Sequence, residues 1–368
     1  MGKILKLKNV CEIGGGYAFK STQYKTKGIP LIRIGDISDK SIDISDKSVY
    51  IDEDIDKYKK FIINKGDILI ALSGATTGKF GIYEYENKAL LNQRVAKIYP
   101  NELIENRYLY HYMNKLKDII YDKAAGCAQP NISPNEIGEI EIYVPSIETQ
   151  KKIVEVLDKS QSLIDKKKEQ IELLDGLLKS RFIEMFGDPI KNEKNWEIEL
   201  LGEICDLKAG KNIKASEIHE EQTDDLYPCY GGNGLRGYVN KYSHEGNINL
   251  IGRQGALCGN VKYARGKFYA TEHAVVTQPK IEINSYWLHF VLIELNLNRL
   301  STGAAQPGLT IGKLNEVEVI LPPIELQNEF AEFVTQTDSI RSKMEASLSE
   351  LEDNFNSLMQ KAFKGELF

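Results

Sequence analysis

The sequence predicts an α+β protein of two tandem domains, each followed by a long helix, and three observations carry that prediction. First, Gly126-Cys127-Ala128-Gln129-Pro130 returns as Gly303-Ala304-Ala305-Gln306-Pro307, an offset of 303 − 126 = 177. Second, after each copy apolar residues recur at three-to-four-residue spacing among Lys, Asp and Glu, the pattern of an amphipathic helix that outlasts one domain. Third, the remainder carries short β-rich runs bounded by Gly, Asn or Pro.

Residues 1–145 form the first domain, mostly β with a few helices. Ile68-Leu69-Ile70-Ala71-Leu72 and Ile140-Glu141-Ile142-Tyr143-Val144 read as strands, and Tyr108-Leu109-Tyr110-His111-Tyr112-Met113 reads as a helix. Residues 146–187 form a central helix with the stripe Ile153, Leu157, Ile164, Ile171, Leu174, Leu178 and Met185. It starts after Pro145 and stops near Gly187-Asp188-Pro189. Residues 188–322 repeat the domain, with a helix at Tyr286-Trp287-Leu288-His289-Phe290-Val291 and a strand at Val317-Glu318-Val319-Ile320-Leu321. Residues 323–368 carry the second long helix, from about Ile324 to Phe363, striped by Phe333, Ile340, Met344, Leu348, Leu351, Phe355 and Leu358. Two such stripes predict that the helices pack on each other, as an antiparallel coiled coil with pseudo-twofold symmetry.

The duplication extends beyond the repeated motif. Ile137, Glu139, Pro145, Ile147, Glu148, Gln150 and Glu155 meet Leu314, Glu316, Pro322, Ile324, Glu325, Gln327 and Glu332 at the same offset. Leu7, Val10, Cys11, Glu12 and Ile13 correspond to Leu201, Ile204, Cys205, Asp206 and Leu207 at an offset of 194, so the first copy holds 194 − 177 = 17 extra residues. Between these ends Gly66-Asp67-Ile68 faces Gly246-Asn247-Ile248, and Gly74-Ala75 with Gly78 faces Gly255-Ala256 with Gly259.

Composition narrows the function. A chain of 368 residues with 42% hydrophobic content is expected to fold as two or more domains. No apolar run approaches the roughly 20 residues needed to span a bilayer, and Met1-Gly2-Lys3-Ile4-Leu5-Lys6 lacks a signal-peptide core, so a soluble cytoplasmic protein is expected. Cys11, Cys127, Cys205, Cys229 and Cys258 are far apart and never form Cys-x-x-Cys, which reads as free thiols. A net charge of −6 argues against clinging to nucleic acid by bulk charge, so any such contact must use local patches.

Several catalytic motifs come close and fail. Ser73-Gly74-Ala75-Thr76-Thr77-Gly78-Lys79-Phe80 resembles a phosphate-binding loop but has Ser73 for its first Gly and Phe80 for the metal-binding hydroxyl. Gly232-Asn233-Gly234-Leu235-Arg236-Gly237 fits Gly-x-Gly-x-x-Gly, yet Tyr238-Val239-Asn240 follows rather than a helix, which reads as a turn. An amino-methyltransferase would show Asp/Asn-Pro-Pro-aromatic; Leu321-Pro322-Pro323-Ile324 lacks both ends. His111, His219, His244, His273 and His289 form no His-x-x-x-His pair, and no Gly-x-Ser-x-Gly elbow occurs.

What remains is polar tips on matching turns. The first copy offers Ser73, Thr76, Thr77 and Lys79, the second Arg253, Gln254 and Asn260. Downstream, Asn92-Gln93-Arg94 and Glu272-His273 occupy matching places with different chemistry. Gly permits close approach, and amide, hydroxyl and guanidinium groups suit phosphates or base edges; the plainer alternative is that such turns only join strands.

The order of variable domain, Gly-x-x-Gln-Pro segment, Pro-Ser or Pro-Pro with Ile-Glu, and Gln-initiated long helix, given twice, resembles type I restriction–modification specificity subunits over nearly the whole chain. The copies differ after Gln-Pro, at Asn131 against Gly308 and Pro134 against Ile311. The resemblance implies a non-catalytic subunit that binds a bipartite, asymmetric double-stranded DNA target, one recognition domain per half-site, with the helices as spacers. It implies two adenine-specific methyltransferase (M) subunits and restriction/motor (R) subunits as partners, no membrane, and S-adenosylmethionine, Mg and ATP on the partners rather than on this chain. In that frame Ser73, Thr76, Thr77, Lys79, Asn92 and Arg94, with Arg253, Gln254, Asn260 and His273, are expected to contact DNA. Gln129, Pro130, Gln306, Pro307, Gln150 and Gln327 are expected to support structure or partner docking, and no residue is assigned to catalysis or to a metal. The alternatives are a scaffolding protein with paired protein-binding domains, and an unrecognised DNA-modifying enzyme.

Overall fold

The computed structural model describes residues 2–38, 40–124, 130–255, 257–302 and 307–368. Gln129, Gln306, Cys127 and the rest of the repeated Gly-x-x-Gln motif, apart from Pro130 and Pro307, lie outside the described residues. The chain forms two compact units: Met1–Lys166 with Leu348–Phe368, and Lys167–Ser347. Each unit therefore holds one end of both long helices, Ile147–Phe186 and Ile324–Lys364.

In the first unit a five-stranded sheet orders Cys11–Gly15, Val95–Pro100, Ile68–Ala71, Phe80–Ile82 and Lys40–Ser41. Its central strand is buried on both faces, and the alternation of a pleated strand sorts its side chains. Ile68 and Ile70 pack with Tyr108, Leu109 and Met113 of the helix Asn106–Ala124, while Leu69 and Ala71 pack with Ile32, Ile63 and Leu91 of a second five-stranded sheet. A two-stranded ribbon, Lys3–Lys6 against Glu141–Val144, leads into the first long helix.

The second unit repeats this arrangement with smaller sheets. Four strands order Cys205–Ala209, Ala274–Pro279, Ile248–Gly252 and Val261–Ala264. Ile251 and Val275 face Trp287, Leu288 and Val291 of the helix Ser285–Glu294, and Ile248, Leu250 and Val276 face Phe268 and Ala270 of a second four-stranded sheet. The ribbon here is Glu197–Leu200 against Glu318–Leu321. The extra length of the first copy falls mainly before Gly66, where the offset changes from 194 to 66 → 246, or 180. That is the segment that builds most of its larger second sheet.

The long helices pair within each unit through their apolar stripes. In the first unit Ile153, Leu157 and Ile164 share a core with Phe355, Ala362 and Phe363; in the second, Leu178, Phe182 and Phe186 share one with Phe330 and Val334. Ion pairs in the second unit give the direction: Asp175 meets Arg341, and Arg181 meets Glu329 at 3.0 Å, so one chain ascends as the other descends. The helices are antiparallel. Each fully buried Leu or Phe contributes about 1.5–3 kcal/mol, whereas the exposed ion pairs contribute under about 1 kcal/mol each.

Two buried glutamines anchor the helix starts. Gln150 donates through Nε2 to the carbonyls of Leu103 and Pro145, both at 2.9 Å, and accepts from Glu105 N–H at 2.7 Å. Gln327 donates to the Pro322 carbonyl at 2.8 Å and accepts from Asn284 N–H at 2.9 Å. Both amides thus tie the first turn of a long helix to the start of the domain helix before it.

Candidate functional site

The two glycine turns rest on one hydrogen-bond ladder. In the first unit Leu72 N–H donates to the Arg94 carbonyl and Ile132 N–H to that of Leu72, both at 2.9 Å, while Gly74 N–H donates to the Pro130 carbonyl at 2.9 Å. Inside the turn Thr77 N–H reaches Gly74 O at 3.1 Å, Gly78 N–H reaches Ala71 O at 3.0 Å, and Lys79 N–H reaches Thr76 O at 2.9 Å. The second unit repeats every rung: Arg253 to His273, Leu309 to Arg253, Gly255 to Pro307, Cys258 to Gly255, Gly259 to Gly252 and Asn260 to Leu257, from 2.7 to 3.1 Å. Ser73 bridges Asn131 as Gln254 bridges Gly308. The left-handed φ of Gly78 (+83°) and Gly259 (+86°) lets the chain turn back into the sheet, which explains the shared glycine. Pro130 and Pro307 therefore supply the carbonyl on which each turn is seated.

This frame settles two motif fragments. Residues 73–80 run through a single 3-10 turn, Gly74–Thr76, into the strand Phe80–Ile82, with no helix to cradle a phosphate. Residues 232–237 lie in an antiparallel hairpin, Tyr227–Gly231 with Gly234–Val239. Both are turns.

The expected tips divide into two kinds. Lys79 is half-buried and Arg94 exposed, neither in an ion pair among the described residues. Ser73 Oγ and Thr76 Oγ1 are enclosed without a hydrogen-bond partner among the described residues. Thr77 and Asn92 point inward instead. Thr77 is buried, its hydroxyl donating to the carbonyls of Gly74 at 2.7 Å and Pro130 at 3.2 Å; Asn92 is buried and accepts from Arg94 N–H at 3.4 Å. Short polar residues in a turn satisfy its carbonyls and N–H groups as readily as a ligand's, so these two hold the turn rather than extend from it.

In the second unit Gln254, His273 and the backbone of Gly255, Pro307 and Gly308 line one cleft. Gln254 is exposed and makes no side-chain hydrogen bond among the described residues. His273 Nε2 lies 3.3 Å from Glu272 Oε1, while its Nδ1, Arg253 Nε and Glu272 Oε2 are enclosed without a partner among the described residues. Asn260 donates to Asn233 Oδ1 at 3.4 Å. Gly232-Asn233, at the hairpin tip, completes the cleft; sequence reasoning placed a turn there but no function. Its signal was the Gly-Asn-Gly of a tight hairpin.

The first unit fills the matching place differently. Asn92 N–H donates to Ile32 O at 3.2 Å as Thr271 N–H donates to Tyr230 O at 2.9 Å, which aligns Arg33–Asp36 with the hairpin tip. There Arg33 lies 3.5 Å from Asp36 and donates to the Lys47 carbonyl at 3.1 Å, and buried Asp36 accepts from Ser48 at 3.1 Å. The turn is closed on itself.

Among the described residues neither site assembles a nucleophile with a base. The Cys11 and Cys205 thiols are buried, and burial pushes both up to about 12. His111 bonds Asp158 at 2.7 Å, and His289 bonds Asn249 at 2.9 Å; both tie helices into their units. Among the described residues no cluster of His, Cys, Asp and Glu could hold a metal ion, and no helix is long and apolar enough to cross a membrane. What both sites offer is a rigid backbone frame with amide, hydroxyl and cationic tips.

Comparison with known proteins agrees with that arrangement. The family described as Type I restriction modification DNA specificity domain matches residues 3–173 and again 193–353. The chain is 31% identical over 359 residues to the type I restriction enzyme EcoprrI specificity subunit of Escherichia coli, covering 92% of this chain and 88% of that protein. It is 27% identical to the MjaIX specificity subunit of Methanocaldococcus jannaschii, covering 90% and 85%. The fold matches the crystal structure of a type I restriction-modification system S subunit from M. genitalium at 18% identity, with a TM-score of 0.60 over 99% of this chain and 96% of the other.

Proposed function

Because the chain belongs to the type I restriction modification DNA specificity family, we propose that it is the sequence-reading subunit of a restriction–modification complex, each unit reading one part of a bipartite, asymmetric target. One observation carries this reading: a single main-chain ladder, built twice, sets Lys79 and Arg94 beside the enclosed hydroxyls of Ser73 and Thr76 in one unit, and Arg253, Gln254, Asn260 and His273 in the other. A constant frame with different polar tips is what two different half-sites require. Base edges are told apart by donors and acceptors, while cationic groups such as Lys79 fix the duplex through its phosphates. Only local charge can do this in a chain of net charge −6.

In this reading the chain performs no bond-making step. Adenine methylation belongs to two M subunits and cleavage to R subunits, and S-adenosylmethionine, Mg and ATP are bound there. The long helices act as spacers; at 1.5 Å per residue a 40-residue helix measures about 60 Å, several DNA half-turns. Thr77 and Asn92 keep the turn in shape, and Gln150, Gln327, Pro130 and Pro307 support the frame.

The test is methylation mapping by single-molecule sequencing of DNA from cells expressing the chain with and without its methyltransferase partner. A methylated motif split by a fixed unspecified gap, appearing only with both, is the expected result. Methylation by this chain alone would restore the enzyme reading, and none with the partner expressed and bound would favour a scaffold.

A further inference from the structure

We propose that Asn233, at the tip of the second unit's hairpin, reads an adenine edge in the major groove. The inference deepens the reading above and rests on it. Gly231 pairs with Gly234, so Gly232-Asn233 is a two-residue tip on the edge hairpin of the second four-stranded sheet, and Asn233 is exposed there, where a base edge can reach its side chain.

The tip is pressed onto the glycine turn. A Cβ on Gly252 would overlap the Gly232 carbonyl, and one on Gly232 would lie 2.9 Å from the His273 carbonyl. Glycine at both positions is what brings Asn233 into the cleft beside Gln254 and His273. Ala71, the first unit's counterpart of Gly252 on the ladder, carries a methyl group, and there the neighbouring turn closes on its own Asp36 instead.

The carboxamide is also oriented. Asn260 donates to Asn233 Oδ1, while Asn260 N–H is itself held by Leu257 O at 3.1 Å. This leaves Asn233 Nδ2 with both hydrogens and Oδ1 with a second lone pair, a donor and an acceptor side by side. Adenine presents the complement in the major groove, N7 as acceptor and N6 as donor, and no other base presents that pair. The other side chains that line the cleft, Gln254 and His273, are polar, and Gln254 is exposed with no side-chain hydrogen bond among the described residues, so its amide is free to bond beside Asn233. Arg236, exposed on the same hairpin, is placed for a phosphate.

The experiment is the methylation map repeated for variants of the full chain co-expressed with its partner. Asn233 has no left-handed φ, so replacement leaves the backbone unstrained. Asn233→Ala should relax one adenine position in one half-site by roughly tenfold and leave the other half-site, an internal check on folding, untouched. Asn233→Asp, which only accepts, should move that position toward cytosine, whose N4 only donates. Asn260→Ala should relax the same position by less. An unchanged motif in Asn233→Ala, or equal weakening at every position, overturns the inference alone. A wild-type map with no split motif overturns the parent reading and this inference with it.

Discussion

The two glycine turns share a ladder rung for rung, yet the strands beneath them differ. The first unit's strand is apolar throughout, Ile68, Leu69, Ile70 and Ala71, while the second buries Asn249 at its centre, bonded to the Ser285 carbonyl at 2.9 Å and to His289. A backbone ladder asks little of side chains beyond glycine at the left-handed positions, so tips and core can vary around it independently. Energetically the comparison separates what the copies must share from what they can change. The shared part includes buried polar anchors whose loss is costly; the variable part runs from exposed tips such as Arg94 and Gln254 to core positions such as Asn249.

The largest effect is therefore expected at an anchor. Gln150 makes three hydrogen bonds where Gln327 makes two. Gln150→Leu strands Glu105 N–H and two carbonyls in a buried place and should cost about 3–5 kcal/mol, Gln327→Leu about 2–3 kcal/mol. Urea denaturation of the full chain measures both. If neither variant loses stability, these amides are not anchors; if Gln327→Leu loses more, the count of bonds does not set the order.

A smaller effect should separate the units by pH. Burial, then the charges of Lys262 and Arg265, push His289 down to about 4. Its unfolded value is near 6.5, so the unfolded chain binds the proton more readily between those values. Stability contributed here is present above about pH 6.5 and is lost as pH falls toward 4, about 1–2 kcal/mol by pH 5. His244 in the same unit is also lowered, by burial and then Lys211. The first unit's helix histidine, His111, instead faces the Asp158 carboxylate. Burial raises Asp158, but hydrogen bonds from Arg107 and His111 outweigh it and hold the carboxyl below its usual range, so it stays charged through that window. Hydrogen exchange corrected for intrinsic rates should show Ser285–Glu294 losing protection at pH 5 before Asn106–Ala124 does. Equal loss in both helices would contradict the assignment to His289.

Much of this contrast was legible in the sequence, for physical reasons. The long helices announce themselves because their stripes repeat over ten turns, and the matched glycines because only glycine takes those φ values cheaply. Thr77 and Asn92 were expected as tips because turn polarity does not say whether a hydroxyl or amide faces water or its own backbone. The role of Asn233 is not legible in the sequence because the residues its turn is pressed against are distant along the chain: Gly252 is 252 − 232 = 20 residues from Gly232, and His273 is 273 − 232 = 41. Gln150 and Gln327 were expected to support the structure or a partner; which backbone groups they reach, 45 and 43 residues upstream, no local pattern encodes.

The smallest expected effect lies where the copies diverge after Gln-Pro. Ser133 caps the short helix Pro134–Gly138 by accepting from Glu136 N–H at 3.2 Å, and Glu136 returns the bond by accepting from Ser133 N–H at 2.8 Å. Thr310 caps Ile311–Asn315 by accepting from Lys313 N–H at 3.3 Å, but a lysine cannot accept in return. Each cap fixes the chain just after the proline whose carbonyl seats the glycine turn, so a frayed cap loosens that seat. Ser133→Ala should cost about 1 kcal/mol and Thr310→Ala about half as much, readable as shifts in the denaturation midpoint. Equal costs would mean that the reciprocal bond from Glu136 adds nothing, and that the divergence at this point is neutral drift around a frame the prolines already hold.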